Sequence, residues 1–211
     1  MKKIISLLLA FTMMISLTAC GRESAEDAVN NSLTAVKELK FTQIYKYYEL
    51  DLPENMEIEV YIAQFKENPE IMDTLKLFVN HFSYNITDLT EAENNAVATV
   101  EMTNIDMKAV MGEFVARSVS EGIINSMKPA RERLTDEEMT ARLEKILIDM
   151  LKVEDIKLAT KTVKVVLNDV DGKWKVSNTE EVLDGITGGL ITIAKNLKTA
   201  GDLFGNIGNE T

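Results

Sequence analysis

The sequence predicts an α+β protein in which an antiparallel β-sheet packs against helices. The first observation is a hairpin signal, because the turn dipeptide Asp171-Gly172 separates two stretches of alternating apolar and polar residues. The second is the order of patterns: helices come first, then two strands, two more helices, the hairpin and a final helix. This order fits helices on one face of an antiparallel sheet, and it does not fit a doubly wound parallel sheet.

The chain begins with the pattern of a secretory signal. Met1-Lys2-Lys3 is basic, and the mostly apolar residues 4–17 follow it. This run is shorter than the roughly 20 residues that a helix needs to cross a bilayer, so it reads as a signal. It leads into Leu17-Thr18-Ala19-Cys20, which holds the only cysteine. That segment resembles the lipobox of bacterial lipoproteins.

The resemblance to bacterial lipoproteins implies how the chain is processed and where it lies. In that class a lipid such as palmitate is attached to the cysteine thiol, so we expect cleavage between Ala19 and Cys20 and lipidation of Cys20. Residues 1–19 are then the signal peptide, and residues 20–24 are the lipidated N-terminus and a short linker. The expected location is the cell membrane, lipid-anchored, on its extracytoplasmic face. The linker spans at most about 13 Å, so we expect any partner to come close to the membrane.

Composition narrows the classes of partner. Without residues 1–19 the chain carries 21 basic and 34 acidic side chains, a formal charge of −13. This charge argues against nucleic acid as a partner, and anionic headgroups would repel it, so lipid rather than charge must hold the chain at the membrane. The remaining residues suffice for one core. We expect a single α+β domain over residues 25–204 and a flexible tail over residues 205–211.

Three helical patterns open the domain. Apolar residues recur at helical spacing from Ala25 to Tyr48, with a break predicted near Lys40 to Thr42. Met56 to Lys66 and Pro69 to Val79 are two further helices. The only histidine, His81, lies where the last of these should end, and we expect it to favour the helix dipole rather than to bind metal or to act in catalysis.

A pair of strands and a helical insert follow. Phe82 to Thr87 alternates apolar and polar residues, and Asn95 to Thr103 is predicted to pair with it. Thr103 and Asn104 offer side-chain acceptors for the start of a helix. Thr135-Asp136-Glu137-Glu138 is a capping-box sequence that begins a second helix. The two helices form an insert of about residues 106–151.

The hairpin around Asp171-Gly172 has a predicted register. A two-residue turn sets Leu167 opposite Val176 and Asp169 opposite Trp174. The same register gathers one apolar face, which agrees with the pattern of a half-buried sheet. That face consists of Val163, Val165, Leu167, Trp174 and Val176.

Three segments carry a second resemblance: Val29 to Leu39, Ala96 to Asp106 and Val163 to Val176. They resemble uncharacterised lipoproteins of Gram-positive bacteria whose domains are cystatin-like, or similar to nuclear transport factor two and ketosteroid isomerase. The resemblance implies a cone, in which a curved sheet closes over a helix and leaves an open mouth for a small molecule. The insert at about 106–151 departs from that pattern, and it either covers the mouth or forms a separate helical pair.

Three functions follow as expectations. The anchor, the cone and the lack of chemical motifs favour a non-enzymatic module that binds a small apolar ligand, a peptide or an envelope protein. The first alternative is an isomerase or hydrolase on the same cone, with Tyr84 and Asp106 as candidate residues. The second is a structural interaction protein whose Met-rich helices within 106–151 dock on a partner or a second copy. Monomer and dimer both stay open.

We expect no catalytic, cofactor-binding or metal-binding residues. The chain has no Gly-rich phosphate loop, no Gly-x-Ser-x-Gly, no His-Glu-x-x-His and no cysteine pair. Asp136-Glu137-Glu138 is explained as a charged first helical turn rather than as calcium ligands. Asp169-Val170-Asp171-Gly172 lacks the third ligand and the late glutamate of a calcium loop.

Overall fold

A computed structural model describes residues 23–48 and 57–207 of the chain. The predicted signal peptide, the cleavage pair Ala19 and Cys20, and residues 208–211 of the predicted tail lie outside the described residues.

The helices and strands follow the predicted order. The helices are α1 (Ala25–Lys37), α2 (Phe41–Tyr47), α3 (Ile58–Lys66), α4 (Pro69–His81), α5 (Met107–Met127), α6 (Asp136–Leu151), α7 (Thr179–Ile186) and α8 (Leu190–Ile207), with a 3-10 turn at Ala130–Glu132. The strands are β1 (Ser83–Glu91), β2 (Asn95–Ile105), β3 (Leu158–Val170) and β4 (Lys173–Val176). They form one antiparallel sheet in the order β1-β2-β3-β4, so the predicted α+β class is confirmed.

The predicted break in the first helix lies slightly earlier than expected. α1 ends at Lys37, and Leu39 adopts a left-handed conformation with φ 51° before α2 begins. The backbone N–H of Lys40 donates to the carbonyl of Ala35 at 2.9 Å, which closes the end of α1. This reversal turns α2 back against α1 and β4.

The predicted cap of the first helix of the insert was wrong. β2 continues to Ile105, so Asn104 lies within a strand and is buried. Its amide donates to the carbonyl of Ile186 and accepts the N–H of Ile105. Asp106 caps α5 instead, because its carboxylate accepts the N–H of Ala109 at 3.1 Å. The side-chain amide of Asn104 has a hydrogen-bond partner for its donor and for its acceptor. These bonds hold Asn104 in the sheet, because a buried amide group without a partner would cost about 1–3 kcal/mol.

The predicted hairpin register is confirmed. Leu167 pairs with Val176, and Asp169 pairs with Trp174. Asp171 and Gly172 have φ values of 53° and 76°, the positive pair that a tight turn between twisted strands requires. The predicted apolar face is at most 2% exposed throughout.

Apolar side chains form two cores at different places along the sheet. In the first core α1 packs on the sheet, and large side chains fill the space between them: Tyr48, Phe82, Leu33 and Trp174. The second core gathers where β2 ends at Ile105, and α4, α5, α6 and α8 all contribute to it. The insert therefore packs as a helical pair together with α4 and α8.

Candidate functional site

An open groove of about 760 Å³ runs between α4 and α6. Leu75, Leu77 and Leu147 form its apolar floor. Ile71 and Ile148 extend the floor towards solvent, where they are 39% and 36% exposed. The volume lies within the range of about 300–1,000 Å³ that binding pockets usually have. We refer to this feature as the α4/α6 groove.

Local sequence begins both helices of the groove. Asn68 accepts the N–H groups of Glu70 and Ile71, and Pro69 occupies the first turn of α4, where its missing N–H costs nothing. Thr135 and Glu138 form the predicted capping box at the start of α6, with hydrogen bonds of 3.2 and 2.9 Å. Strong caps give the groove two well-defined walls.

The rim of the α4/α6 groove is mainly acidic. Four carboxylates line it: Glu70, Asp73, Glu144 and Asp149. Two lysines, Lys145 and Lys152, also line it. Two exposed ion pairs lie at or beside the rim, Lys76–Asp73 at 3.0 Å and Lys145–Asp149 at 3.9 Å. Because exposed ion pairs contribute little energy, these carboxylates can readily exchange their lysines for a positively charged partner. An apolar floor with an acidic rim suits an apolar group that carries positive charge.

A second, smaller groove of about 310 Å³ lies between α5 and α8. Met111, Val115, Ile193 and Leu197 line it. Gly112 also lines it, and a methyl group at that position would meet no atom within 4 Å. A side chain at position 112 would therefore extend into the empty space of the groove, and glycine leaves that space open.

The outer half of α5 carries an apolar ridge. Val115, Val119 and Ile123 follow one another at steps of four residues, which places them on neighbouring turns of one face. They are 50%, 58% and 55% exposed, and Ile124 and Met127 continue the exposed apolar surface to the end of the helix. We refer to these five residues as the α5 ridge.

The two residues considered for catalysis take part in separate structural contacts. The hydroxyl of Tyr84 donates to the side chain of Asn30 at 2.7 Å and lies 2.7 Å from the hydroxyl of Thr34, so it ties β1 to α1. Asp106 caps α5 and pairs with Lys157 at 2.8 Å. The hydrogen bond from Lys157, helped by that from Ala109, lowers the pKa of Asp106. Neither residue lines the α4/α6 groove.

Three further observations concern His81, metal ligands and membrane spans. His81 is the last residue of α4, as expected. Within residues 23–48 and 57–207, His, Cys, Asp and Glu side chains do not gather in threes that would hold a metal ion. In the same part of the chain, none of the helices has both the length and the apolar character needed to cross a bilayer.

Asp184, which no sequence pattern indicates, forms a buried network between α7, α8 and β3. Its carboxylate accepts the backbone N–H of Thr192 at 2.8 Å, the hydroxyl of Thr192 at 2.9 Å and the ammonium of Lys161 at 3.0 Å. Burial alone would raise the pKa of Asp184, but the hydrogen bonds from Thr192 and Lys161 outweigh it and lower the pKa. The charged form therefore stabilises the fold.

We expect the stability of the protein to fall in acid as Asp184 is protonated. Because its folded pKa lies below the unfolded value of about 3.9, the stabilisation is complete above about pH 5 and is lost as the pH falls through the folded pKa. Asp184→Asn should cost about 1–3 kcal/mol at neutral pH and flatten the acid limb of the stability curve. Urea unfolding at a series of pH values measures both effects.

The control for Asp184 is Glu113→Gln. Glu113 pairs with Arg117 on the surface of α5, and exposed pairs contribute about 0–1 kcal/mol. This variant should follow the wild-type curve. An Asp184→Asn protein that loses stability in acid as steeply as the wild type would contradict the assignment.

Glu23, the first described residue, is held by four contacts. Its carboxylate accepts the hydroxyl of Tyr47 and the amide of Asn31, each at 2.7 Å, and the ammonium of Lys46 lies 3.6 Å away. Its carbonyl accepts the indole N–H of Trp174 at 2.9 Å. Burial raises the pKa of Tyr47, so its hydroxyl stays protonated and donates. We refer to these contacts as the Glu23 clasp.

The fold and the grooves together define an α+β protein with an open helical groove beyond one end of its sheet. No protein-family model matches the chain, and no curated protein matches it. Among solved structures, the chain is similar to the crystal structure of a putative lipoprotein (ycdA) from Bacillus subtilis, with 11% identity and a TM-score of 0.40. The match covers 78% of this chain and 46% of that one, so the chain spans about half of its length. A likeness at this level carries no argument about function.

Proposed function

We propose that this protein is a lipid-anchored, non-enzymatic module of the extracytoplasmic membrane surface that binds an apolar segment of an envelope protein in the α4/α6 groove. The lipobox residues Leu17 to Cys20 support the anchor. A sheet that packs over α1, as the resemblance to cystatin-like lipoproteins implies, supports the fold assignment. The apolar floor of the α4/α6 groove is the observation that carries the binding role.

The shape of the groove favours a polypeptide segment over a small molecule. Pockets for small molecules bury most of the ligand surface, whereas Ile71 and Ile148 of this groove are more than one third exposed. Two helices that flank an apolar floor match the way in which an amphipathic helix lies in a groove. The segment that fits such a groove is a helix with an apolar stripe along one face.

The rim adds a charge requirement to this partner. The excess of carboxylates over lysines at the groove, within a chain of formal charge −11, favours basic residues beside the apolar stripe. We therefore propose an amphipathic, basic helix as the occupant. The alternative of an enzyme has less support, since Tyr84 and Asp106 are engaged in separate contacts away from the groove.

The anchor is tested by Cys20→Ser in the full-length chain produced in a lipoprotein-processing bacterium. We expect the wild type to be found with membranes and to carry acyl mass on Cys20, and we expect the variant to lose both. Mass spectrometry of the purified N-terminus and membrane fractionation measure these outcomes. A wild-type chain without acyl mass would overturn the anchor.

The groove is tested with a synthetic amphipathic peptide of leucine and lysine as the probe. Ile148→Lys places a positive charge on the half-exposed floor, and we expect it to weaken binding by about tenfold or more, because a basic probe then meets a like charge. Isothermal titration of the two proteins gives the affinities.

Val153→Lys is the matched control for the groove experiment. Val153 lies five residues further along the chain, is 53% exposed and does not line the groove. It adds the same charge, so a general electrostatic effect would weaken both variants equally. Equal affinities for Ile148→Lys, Val153→Lys and the wild type would overturn the groove as the binding site.

The α5 ridge supports a second candidate function, which is self-association. Residues at steps of four form ridges that pack into the same ridges of another helix, so a second copy offers a complementary surface. The charges beside the ridge are already paired, Glu113 with Arg117 and Glu121 with Arg142. This leaves a neutral face on an acidic chain. Analytical ultracentrifugation should then show dimers that Ile123→Lys abolishes, and a wild-type monomer would rule the candidate out.

A further inference from the structure

The Glu23 clasp determines where a lipid on Cys20 would leave the folded part of the chain. Only Gly21 and Arg22 separate Cys20 from Glu23, and this length of chain reaches at most about 11 Å. Glu23 itself is bound through both its carboxylate and its carbonyl. The membrane surface therefore lies close to the residues that hold Glu23.

Those residues lie at one end of the sheet. Trp174 pairs with Asp169, and the N–H of Asp169 donates to the carbonyl of Asn94 in the turn between β1 and β2. The turns at 92–94 and 171–172 therefore share this end with the Glu23 clasp. We refer to it as the anchor end.

The α4/α6 groove lies beyond the opposite end of the sheet. β2 runs 11 residues from Asn95 at the anchor end to Ile105, whose side chain belongs to the second core. At about 3.3 Å per residue the strand separates the two ends by about 35 Å. Leu77 and Leu147 belong both to the second core and to the groove floor.

We propose that the Glu23 clasp orients the protein on the bilayer, with the anchor end facing the lipid surface and the α4/α6 groove held away from it. This inference rests on the proposed lipidation of Cys20. The anchor end carries Lys46, Lys173 and Lys175, and it also carries the carboxylates of Glu91, Glu93 and Asp171 in and beside its turns. Because these charges are of both signs, the short chain between Cys20 and the Glu23 clasp, rather than charge, sets the orientation. The sheet then acts as a spacer between the bilayer and the α4/α6 groove. A partner that binds in the groove would not have to come close to the membrane, in contrast to the expectation from the short linker.

The orientation is tested on full-length, lipidated protein in phosphatidylglycerol–phosphatidylcholine vesicles. Cys20 is the only cysteine and its thiol is acylated, so a cysteine introduced elsewhere takes a fluorescent label alone. Ala92→Cys labels an exposed turn at the anchor end, and Glu154→Cys labels an exposed turn just before β3 at the opposite end. We expect energy transfer to an acceptor in the headgroups to be several-fold greater from position 92 than from position 154.

Variants of the clasp separate its role from that of the lipid. Glu23→Ala combined with Tyr47→Phe removes the carboxylate contacts, and the difference between the two labels should shrink while circular dichroism stays unchanged. Glu26→Ala, which removes an exposed carboxylate in the first turn of α1, should keep the full difference.

Two different results would overturn the proposal, and they are distinguishable. Vesicle-bound, acylated protein with equal transfer from both positions would overturn the orientation and leave the anchor intact. Protein that carries no acyl mass on Cys20 would overturn the anchor and the orientation together.

Discussion

Gly188→Ala is expected to destabilise the protein by about 2–5 kcal/mol. Gly188 ends α7 with φ 65°, and a Cβ atom there would lie 2.0 Å from the carbonyl oxygen of Ile105. A left-handed alanine costs about 1–2 kcal/mol, and forcing backbone apart in a packed core adds about 1–3 kcal/mol. Ile105 is fully buried at the junction of β2 and the second core, so this junction must move. Urea unfolding followed by circular dichroism measures the loss.

Gly189→Ala provides the matched control. Gly189 also has a positive φ, 90°, but an added Cβ would meet no atom within 4 Å. This variant should lose only the conformational part, about 1–2 kcal/mol. The difference between the two alanines isolates the collision with Ile105. Equal losses would show that α7 and β2 do not approach as closely as described.

Trp174→Ala is expected to destabilise the protein by about 3–5 kcal/mol. Trp174 is 2% exposed in the first core, and truncation of a buried aromatic leaves a cavity that the surroundings fill only in part. The variant also removes the indole donor to the carbonyl of Glu23. Since folded proteins are stable by only about 5–15 kcal/mol, this is a large fraction of the total. Urea unfolding followed by circular dichroism is suitable, because the chain then has no tryptophan to report by fluorescence.

Two further substitutions separate the contributions of Trp174. Trp174→Phe keeps part of the buried aromatic surface but loses the hydrogen bond to Glu23 and some ring volume, so we expect a smaller loss of about 1–2 kcal/mol. Val170→Ala, in the same hairpin at a position 42% exposed, should change stability little. An alanine at 174 that unfolds at the same urea concentration as the wild type would contradict the burial of the indole.

The sequence predicted the elements with strong local signals. The turn at Asp171-Gly172 and the alternation beside it specified the hairpin register, because a two-residue turn allows one pairing and the pattern allows one buried face. The capping box at Thr135 and Glu138 was confirmed for the same kind of reason, since its two hydrogen bonds join residues three apart.

The error at the start of α5 arose where a distant residue decides the outcome, and the end of α1 differs slightly from the predicted break. Asn104 has the composition of a helix cap, yet its partner is the carbonyl of Ile186, more than 80 residues further along the chain. Leu39 adopts positive φ without being glycine, which sequence pattern alone does not indicate. A tertiary contact overrode local preference at Asn104, whereas local hydrogen bonds such as that from Lys40 to Ala35 close the end of α1.

The α4/α6 groove was only partly visible in the sequence. Helical patterns predicted both walls of the groove, but a helical pattern does not reveal that the two helices lie beside one another. Ile71 and Ile148, which are 39% and 36% exposed, are therefore assigned to the groove only by the structure. Asp184 and Glu23 gave no signal, because each is defined by contacts with residues on other elements.

By itself, the sequence determined the α+β class and the hairpin register, and it predicted the anchor at Cys20. These rest on patterns within a few residues, where the periods of strand and helix and the chemistry of turns act locally. Only the tertiary structure decided that the helical insert joins α4 and α8 in a second core, and that a groove opens between α4 and α6. The physical reason is that packing joins residues far apart in the chain, and their meeting depends on the whole fold rather than on any one segment.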